Sequence, residues 1–372
     1  MAGTKRVQFF IDRFNEKKIP VSVITIGNFG DSKSGNNSKG VSGTTKFFNY
    51  GASLPASLIS YFFLPLLILL AGIKILVIRK SGLKNILYVY NSISVDSFLV
   101  VLFARGLGYK VVADIVEDYR VINENISFPL RIKYKLINFF EGRIHLFCDR
   151  VVVLSSYLKD FFVKQLNVKI PVELIPVSSN LKAESKSKEK FHSPLKISYT
   201  GSFAKKDGLQ FLINAFNEFS KKFTDSQLLL TGIGNNPQKL VEDSKNSKIK
   251  YIGYLSDEEY YNFLLDADIL CMTRLNTKFA NAGFPFKLGE YLATGNPVVV
   301  TDVSDISDYL ENNIDAKIVP PENSHALCAA LTEYAEDFKA ASKIGERGKE
   351  KALKFFNYQI NGDKLIDLMK KI

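Results

Sequence analysis

The sequence predicts an α/β protein made of two doubly wound domains in tandem. Three features of the chain point there. Short runs of almost uninterrupted apolar residues alternate with amphipathic stretches, which is the pattern of a parallel sheet covered on both faces. The alternation occurs twice along 372 residues, a length sufficient for two full cores. Between the two halves lies KAESKSKEKFHSP (182–194), polar and charged, which reads as an exposed linker.

The second half is the more regular. LKISYTG, SQLLLTG, IKYIGY, ADILCMT, NPVVVTD and AKIVP read as strands, with helical stretches between them such as Asp207 to Lys222. Six strands make one complete doubly wound domain, placed at 195–342. In the first half, 1–181, VSVITIG (21–27), NILYVYN (85–91), KVVADIVE (110–117), RVVVLS (150–155) and VELIPV (172–177) read as strands of a second such sheet. The opening AGTKRV reads as the loop that follows a first strand, so that sheet is one strand short or its first strand lies upstream. No apolar run follows the N-terminus, so it does not read as a signal peptide. Residues 343–372 are helical and rich in lysine, and are expected to pack back towards the first domain.

One block departs from this rhythm. SLPASLISYFFLPLLILLAGIKILVI (53–78) carries no charge until Lys74 and is long enough to span a bilayer. Spanning is disfavoured, because VSVITIG before it and NILYVYN after it are expected in one sheet, and Pro65 interrupts it. Two readings stand: a buried crossover helix, or a helix or hairpin lying in the membrane interface. Downstream, Arg131, Lys133, Lys135, Arg143 and Arg150 outnumber Glu141 and Asp149. Such a stretch suits anionic headgroups, or is simply a solvated face.

Composition narrows the chemistry. Lys plus Arg is 49 against 38 acidic residues, a net charge of +11, which suits a nucleotide, a phospholipid surface or nucleic acid. The three cysteines, Cys148, Cys271 and Cys328, form no CxxC and no Cys/His cluster, and read as reduced structural thiols of a cytosolic protein. His145, His192 and His325 have no metal-ligand spacing.

Parallel sheets bind ligands at the carboxyl ends of their strands, and three stretches of the second domain sit there. In YTGSFAKKDGL, Gly201 and Ser202 form a turn, and Lys205 and Lys206 precede a helix start, a combination that suits phosphate. TGIGNN places Gly232 in the next such turn, a weak signal alone. In FPFKLGE, the amides of Ala282, Gly283 and Phe284 can face an anion, and Lys287 adds a charge. Glu290, one turn further, repels phosphate but accepts two hydroxyl hydrogen bonds, which suits a ribose diol. Together these residues read as a nucleotide grip.

YTGSFAKKDGLQFLINAF, LLLTGIGNN, YIGYLSDEEYYNFLLDADILCM, FPFKLGEYLATGNPVVVTD and AKIVPPEN occur in order and at fitting separations. Together they resemble glycosyltransferase family 4, the retaining, nucleotide-sugar-dependent enzymes of the GT-B fold, in which two Rossmann-like domains face each other across a cleft. The resemblance covers most of 150–340. It implies a UDP- or GDP-linked sugar donor in the second domain and an acceptor, lipid-linked or oligosaccharide, held mostly by the first. It implies no metal ion and no other cofactor. DAD (266–268), at the end of a helix, is therefore structural rather than a metal site.

Carried over by residue, Lys206 is the diphosphate lysine and Glu290 the ribose glutamate. The chain departs from the family at three places. Ala282 stands where relatives have the first acid of a glutamate pair, Ser202 where they have a diphosphate arginine, with Lys205 able to compensate, and Val116 where many have a histidine. Glu117 and Asp118, beside Val116, become the candidates for polarising the acceptor hydroxyl. With the apolar block and the basic stretch, the leading reading is a family 4-like transferase at the cytoplasmic face of the cell membrane, peripheral on its anionic inner surface. It would extend a lipid-linked glycan for a bacterial surface polysaccharide and bind no nucleic acid. The departures leave room for a non-catalytic nucleotide-sugar-binding homologue that partners another transferase, and the fold also hosts nucleotide-sugar epimerases.

Overall fold

The computed structural model describes residues 2–26, 39–50, 62–91, 93–121, 128–180, 190–234 and 236–372. The first part of the apolar block and most of the linker at 182–194 lie outside the described residues. The chain divides into two compact units, Met1–Ile175 with Asn361–Ile372, and Pro176–Ile360.

Unit 1 opens with a helix, α1 (Ala2–Glu16), where a loop was expected. Phe10 and Phe14 on one of its faces are buried, and Arg6 one turn earlier is buried with them. The Arg6 Nε donates to Asp114 Oδ2 at 2.8 Å, Nη2 donates to the Ile175 carbonyl at 3.0 Å, and the Tyr88 hydroxyl donates to the same carboxylate. A buried charge pair survives in a core only when its remaining donors and acceptors are satisfied in this way.

The first strands are β1 (Val21–Thr25), β2 (Lys39–Ser42) and β3 (Thr45–Asn49). They form their own three-stranded sheet, in which β1 pairs parallel to β3 and β2 and β3 run antiparallel. The single sheet expected for the first half is therefore two. After α2 (Leu64–Ile78) come β4 (Ile86–Tyr90), α3 (Val95–Gly106), β5 (Lys110–Ile115), α4 (Phe128–Glu141), β6 (Arg150–Val153), α5 (Ser156–Asp160) and β7 (Val172–Leu174). Strands β4 to β7 make a parallel sheet in sequence order. Both sheets share one core: Val21 of β1 and Ile86 and Tyr88 of β4 pack against Phe10, Phe14, Val112 and Val152.

Helix α2 places Ile75 in a second cluster with Ala104 and Tyr109. Pro65 sits in its first turn and starts the helix instead of breaking it, because its missing amide costs nothing there. Leu67, Ala71, Gly72 and Ile75 are buried, while Leu66, Leu69, Ile73 and Val77 are exposed. No helix among the described residues is long and apolar enough to cross a membrane.

Unit 2 contains β8 (Leu195–Gly201), α6 (Leu209–Lys222), β9 (Ser226–Gly232), α7 (Pro237–Asp243), β10 (Ile249–Tyr251), α8 (Asp257–Asp266) and β11 (Ile269–Met272). It continues with α9 (Lys278–Ala282), α10 (Leu288–Ala293), β12 (Val298–Thr301), α11 (Ile306–Tyr309), β13 (Lys317–Val319), α12 (Ser324–Glu336) and α13 (Phe338–Phe355). All six strands are parallel, in the order β10-β9-β8-β11-β12-β13. That is the doubly wound order, with its reversal between β8 and β11. Ile197, Tyr199, Leu228, Ile269 and Val299 of the strands meet Leu212, Phe216 and Phe219 of α6 and Leu327 and Leu331 of α12 in one core. The last helix, α14 (Tyr358–Lys370), brings Leu365 and Ile366 into the core of unit 1 and Asp363 onto Arg13.

The DAD segment is structural. Asp268 is fully buried and accepts from the amides of His192 and Lys196 at 3.1 and 2.8 Å, with His192 Nδ1 2.7 Å away. Asp266 accepts from Lys196 Nζ at 2.6 Å.

Candidate functional site

Ligands of an open α/β sheet bind beyond the carboxyl ends of its strands, where the strand order reverses. In unit 2 that edge is built by β8, β9 and β11. Gly201 and Gly232 end β8 and β9 side by side, and the loop beyond β9 folds over the loop beyond β8. A Cβ on Gly234 would stand 1.9 Å from the Ser202 carbonyl oxygen, and one on Gly201 would stand 1.9 Å from the Tyr199 hydroxyl. Only glycine leaves room for these approaches.

Beyond Gly201 the chain turns through a short 3-10 segment, Lys205–Asp207, and enters α6 at Gly208, whose φ is +61°. Asp207 fixes the turn by accepting from Ser202 Oγ at 2.7 Å and from the Ala204 amide at 3.3 Å. The β11 loop braces it, with the Leu275 amide donating to the Lys206 carbonyl at 2.8 Å and Thr273 Oγ1 to the Asp207 carbonyl at 2.7 Å. Lys205 is exposed. Lys206 is half-buried, its Nζ 5.0 Å from the centre of the Phe279 ring. The Ser202 hydroxyl, where relatives are expected to carry an arginine, serves Asp207.

The FPFKLGE stretch differs from the expectation in one respect. Ala282 is the last residue of α9 and Gly283 its C-cap, so the amides of 282–284 do not open a helix. The start lies further on, with Lys287 as the N-cap of the six-residue α10. The Phe284 side chain points into the core against Tyr309 and Phe356, its ring centre 5.6 Å from each. The Phe284 side chain is therefore closed to a ligand. Every residue of α10 is buried except Glu290, which is half-buried. Tyr291 fastens the helix to the end of β8: its hydroxyl accepts from the Thr200 amide at 2.7 Å and donates to the Thr200 carbonyl at 3.2 Å. Glu290 Oε2 accepts from the Tyr260 hydroxyl of α8 at 2.7 Å, and Lys287 Nζ lies 5.7 Å from the centre of the Tyr260 ring. Lys287 and Glu290 thus flank one aromatic side chain, next to the strand that ends in Gly201.

Tyr260 and Arg274 at this edge were not singled out from the sequence. Tyr260 lies 30 residues from its partner and looks like an ordinary face-filler of α8. Arg274, two residues past β11, is buried, with Nη2 3.7 Å from where a Gly283 Cβ would sit. A charge directly after an apolar strand, at its carboxyl end, was the available signal.

In unit 1, Val116, Glu117 and Asp118 follow β5 at its carboxyl end, and Val116 is buried. Asp118 is buried and clasped by Arg120, which donates from Nε at 2.7 Å, from Nη2 at 2.6 Å and from its amide at 2.9 Å. Arg120 in turn lies on the Phe161 ring, 3.1 Å from its centre. Asp118 is therefore occupied in holding the loop. Glu117 is half-buried and accepts from the Tyr119 hydroxyl at 2.7 Å. Burial first, and then Asp118, push the Glu141 carboxyl up to about 8.

Residues 194–337 match the family described as Glycosyl transferases group 1. The amylovoran biosynthesis glycosyltransferase AmsK of Erwinia amylovora is 24% identical over 192 residues, covering 50% of this chain and 47% of that protein. The phosphatidyl-myo-inositol mannosyltransferase of Mycolicibacterium smegmatis is 23% identical over 150 residues, covering 40% of this chain and 38% of that protein. The chain spans about half the length of the curated relatives it matches first. Among solved structures, sucrose-phosphate synthase from Thermosynechococcus elongatus superposes with a TM-score of 0.74 at 17% identity, over 98% of this chain and 92% of that one. Anabaena Alr3699/HepE, solved in complex with UDP and glucose, gives a TM-score of 0.69 at 13% identity, over 98% and 95%. At such identities the likeness concerns the fold, which is GT-B, with a Rossmann-like sheet in each unit.

Proposed function

We infer, from the premise that residues 194–337 belong to the Glycosyl transferases group 1 family, that the chain moves a sugar from a nucleoside diphosphate to a glycan acceptor in surface polysaccharide or glycolipid biosynthesis. The observation that carries this is the pairing of Lys287 and Glu290 around Tyr260, beside the Gly201 turn and Lys206. Cations and loop amides face a diphosphate there, and the carboxylate faces a ribose diol. UDP- and GDP-sugars are the donors of this chemistry.

Transfer proceeds with retention. As the glycosidic bond to the diphosphate breaks, negative charge develops on the leaving group, and Lys206, Lys287 and the first amides of α6 stabilise it in place. The acceptor hydroxyl attacks from the same face and loses its proton towards the departing diphosphate. Glu117 is the carboxylate suited to polarise that hydroxyl, because Asp118 is committed to Arg120. The acceptor is lipid-linked, and the protein works at the inner face of the cell membrane. The exposed apolar side of α2 and the exposed Arg131, Lys133 and Lys135 of α4 support that placement.

Val116 and Ala282, apolar where relatives are expected to carry ionisable groups, favour a second reading, a homologue that binds nucleotide sugar without turnover. Incubation with a panel of UDP- and GDP-sugars and lipid-linked acceptors, followed by product analysis, separates the two. A glycosylated acceptor supports transfer, nucleotide-sugar binding without product supports the second reading, and an epimerised donor overturns both.

A further inference from the structure

The geometry points to Tyr260 as a positioning residue: its hydroxyl sets the orientation in which Glu290 meets the nucleotide. The inference rests on the assignment of Glu290 to the ribose. A carboxylate at the end of three rotatable bonds loses side-chain entropy when it is held for a diol, and a donor fixed elsewhere in the fold reduces that loss on binding. Tyr260 is such a donor. Helix α8 starts in a capping box, where the Ser256 amide donates to Glu259 Oε2 at 2.8 Å and Ser256 Oγ accepts from the Glu259 amide at 3.4 Å. That box fixes the helical register, and Leu264, one turn beyond Tyr260, is buried. The Tyr260 ring is held between α8 and the end of β8, its hydroxyl 3.5 Å from Thr200 Oγ1 and 2.7 Å from Glu290 Oε2.

The bond to Oε2 fixes the plane of the carboxylate and with it the direction in which the group accepts. Burial and the neighbouring Glu290 charge both push the phenol well above its ordinary range, so it stays a donor at working pH. The face of the same ring attracts the Lys287 ammonium. One side chain of α8 therefore lies against both charged groups of the FPFKLGE stretch.

The test is calorimetric binding of UDP and GDP, each with its 2′,3′-dideoxy counterpart, to the full chain carrying Tyr260→Phe, Glu290→Ala or both. Phenylalanine keeps the ring against Lys287 and removes only the hydroxyl. Tyr260→Phe is expected to weaken binding of the ribonucleotide about fivefold, the scale of one hydrogen bond. It should leave the dideoxy form unchanged and add nothing to Glu290→Ala. An equal loss on ribo and dideoxy forms, or an additive loss in the double variant, would overturn the positioning role. Loss with Glu290→Ala but none with Tyr260→Phe overturns this inference alone. If Glu290→Ala leaves ribose discrimination intact, or the unaltered chain binds neither UDP nor GDP, the nucleotide assignment itself fails and this inference with it.

Discussion

Gly201 and Gly232 lie opposite each other at the carboxyl ends of β8 and β9, so close that a Cβ on Gly232 would stand 1.9 Å from the Gly201 carbonyl oxygen. Gly232 also has φ +134°, and its carbonyl accepts from the Tyr251 hydroxyl at 2.6 Å. Gly232→Ala meets a steric clash and a backbone conformation that L side chains rarely adopt. Each costs about 1–3 kcal/mol. Gly253 has φ +86° with open space around its Cβ position, so Gly253→Ala meets the backbone strain alone. Urea unfolding should rank Gly232→Ala well below Gly253→Ala. Equal stabilities would show that the two strand ends are free to separate.

For the nucleotide, Glu290→Ala should weaken binding of the cognate nucleoside diphosphate by about 1.5–3 kcal/mol, the range for a hydrogen bond to a charged group. The fold should persist, because Glu290 is the least buried residue of α10 and Tyr291 continues to hold the helix to Thr200. Unchanged affinity by calorimetry would remove the ribose assignment.

For the diphosphate, Lys206→Ala should lower kcat by roughly a hundredfold or more, the scale for removing one donor aimed at developing charge. Lys205→Ala should do much less, since Lys205 is exposed and Lys206 is half-buried beside Phe279. A larger effect at Lys205 would shift the phosphate contact by one residue.

The second unit was legible because its strands are buried on both faces. All four residues of VVVT in β12 are buried, and such a run cannot be a loop or a half-exposed strand. In the small sheet of unit 1, β1 was read as a strand but β2 and β3 were not. KGVS in β2 is exposed at every position, so no burial pattern announces it. At the site, Lys287 and Glu290 stood out as charges in an otherwise apolar stretch, whereas Tyr260 meets them only once the chain has crossed from α8 to α10. Glu117 and Asp118 are adjacent acids in the sequence. Only the fold shows that one is buried under Arg120 and the other half-open.

The exposed side of α2 gives a clean separation between docking and core. Leu66, Leu69 and Ile73 are 50%, 59% and 48% exposed, while Leu67 and Ile75 on the other side are 4% and 2%. Helix α3 packs against both α2 and α4, and Leu99, Leu102 and Phe103 of α3 and Ile132, Leu136 and Phe139 of α4 are also exposed. Changing Leu66, Leu69 and Ile73 together to serine should abolish flotation with phosphatidylglycerol vesicles and leave the melting temperature nearly unchanged. Leu67→Ser should instead destabilise unit 1, since a large buried side chain contributes roughly 1.5–3 kcal/mol. Unaltered chain that ignores anionic vesicles would remove the membrane placement and leave the transferase assignment standing.

Glu141 makes the stability of unit 1 depend on pH in a definite direction. It ends α4 with its carboxyl buried near Asp118, Glu117 and Arg120, and the Ile93 backbone also contacts it. Burial, then Asp118, push it up from 4.5 to about 8. Between those two values the folded chain holds a proton that the unfolded chain has released. Fewer protons on the unfolded state mean that stability falls as pH rises through this window and levels off above it. Glu141→Gln removes the titrating group and keeps the shape. Its stability relative to the unaltered chain should therefore rise steadily from about pH 5 to pH 8, the window set by the raised carboxyl, and show no advantage in more acid solution. Urea midpoints measured across that range decide it: two profiles that run parallel would mean that the buried carboxyl does not keep its proton.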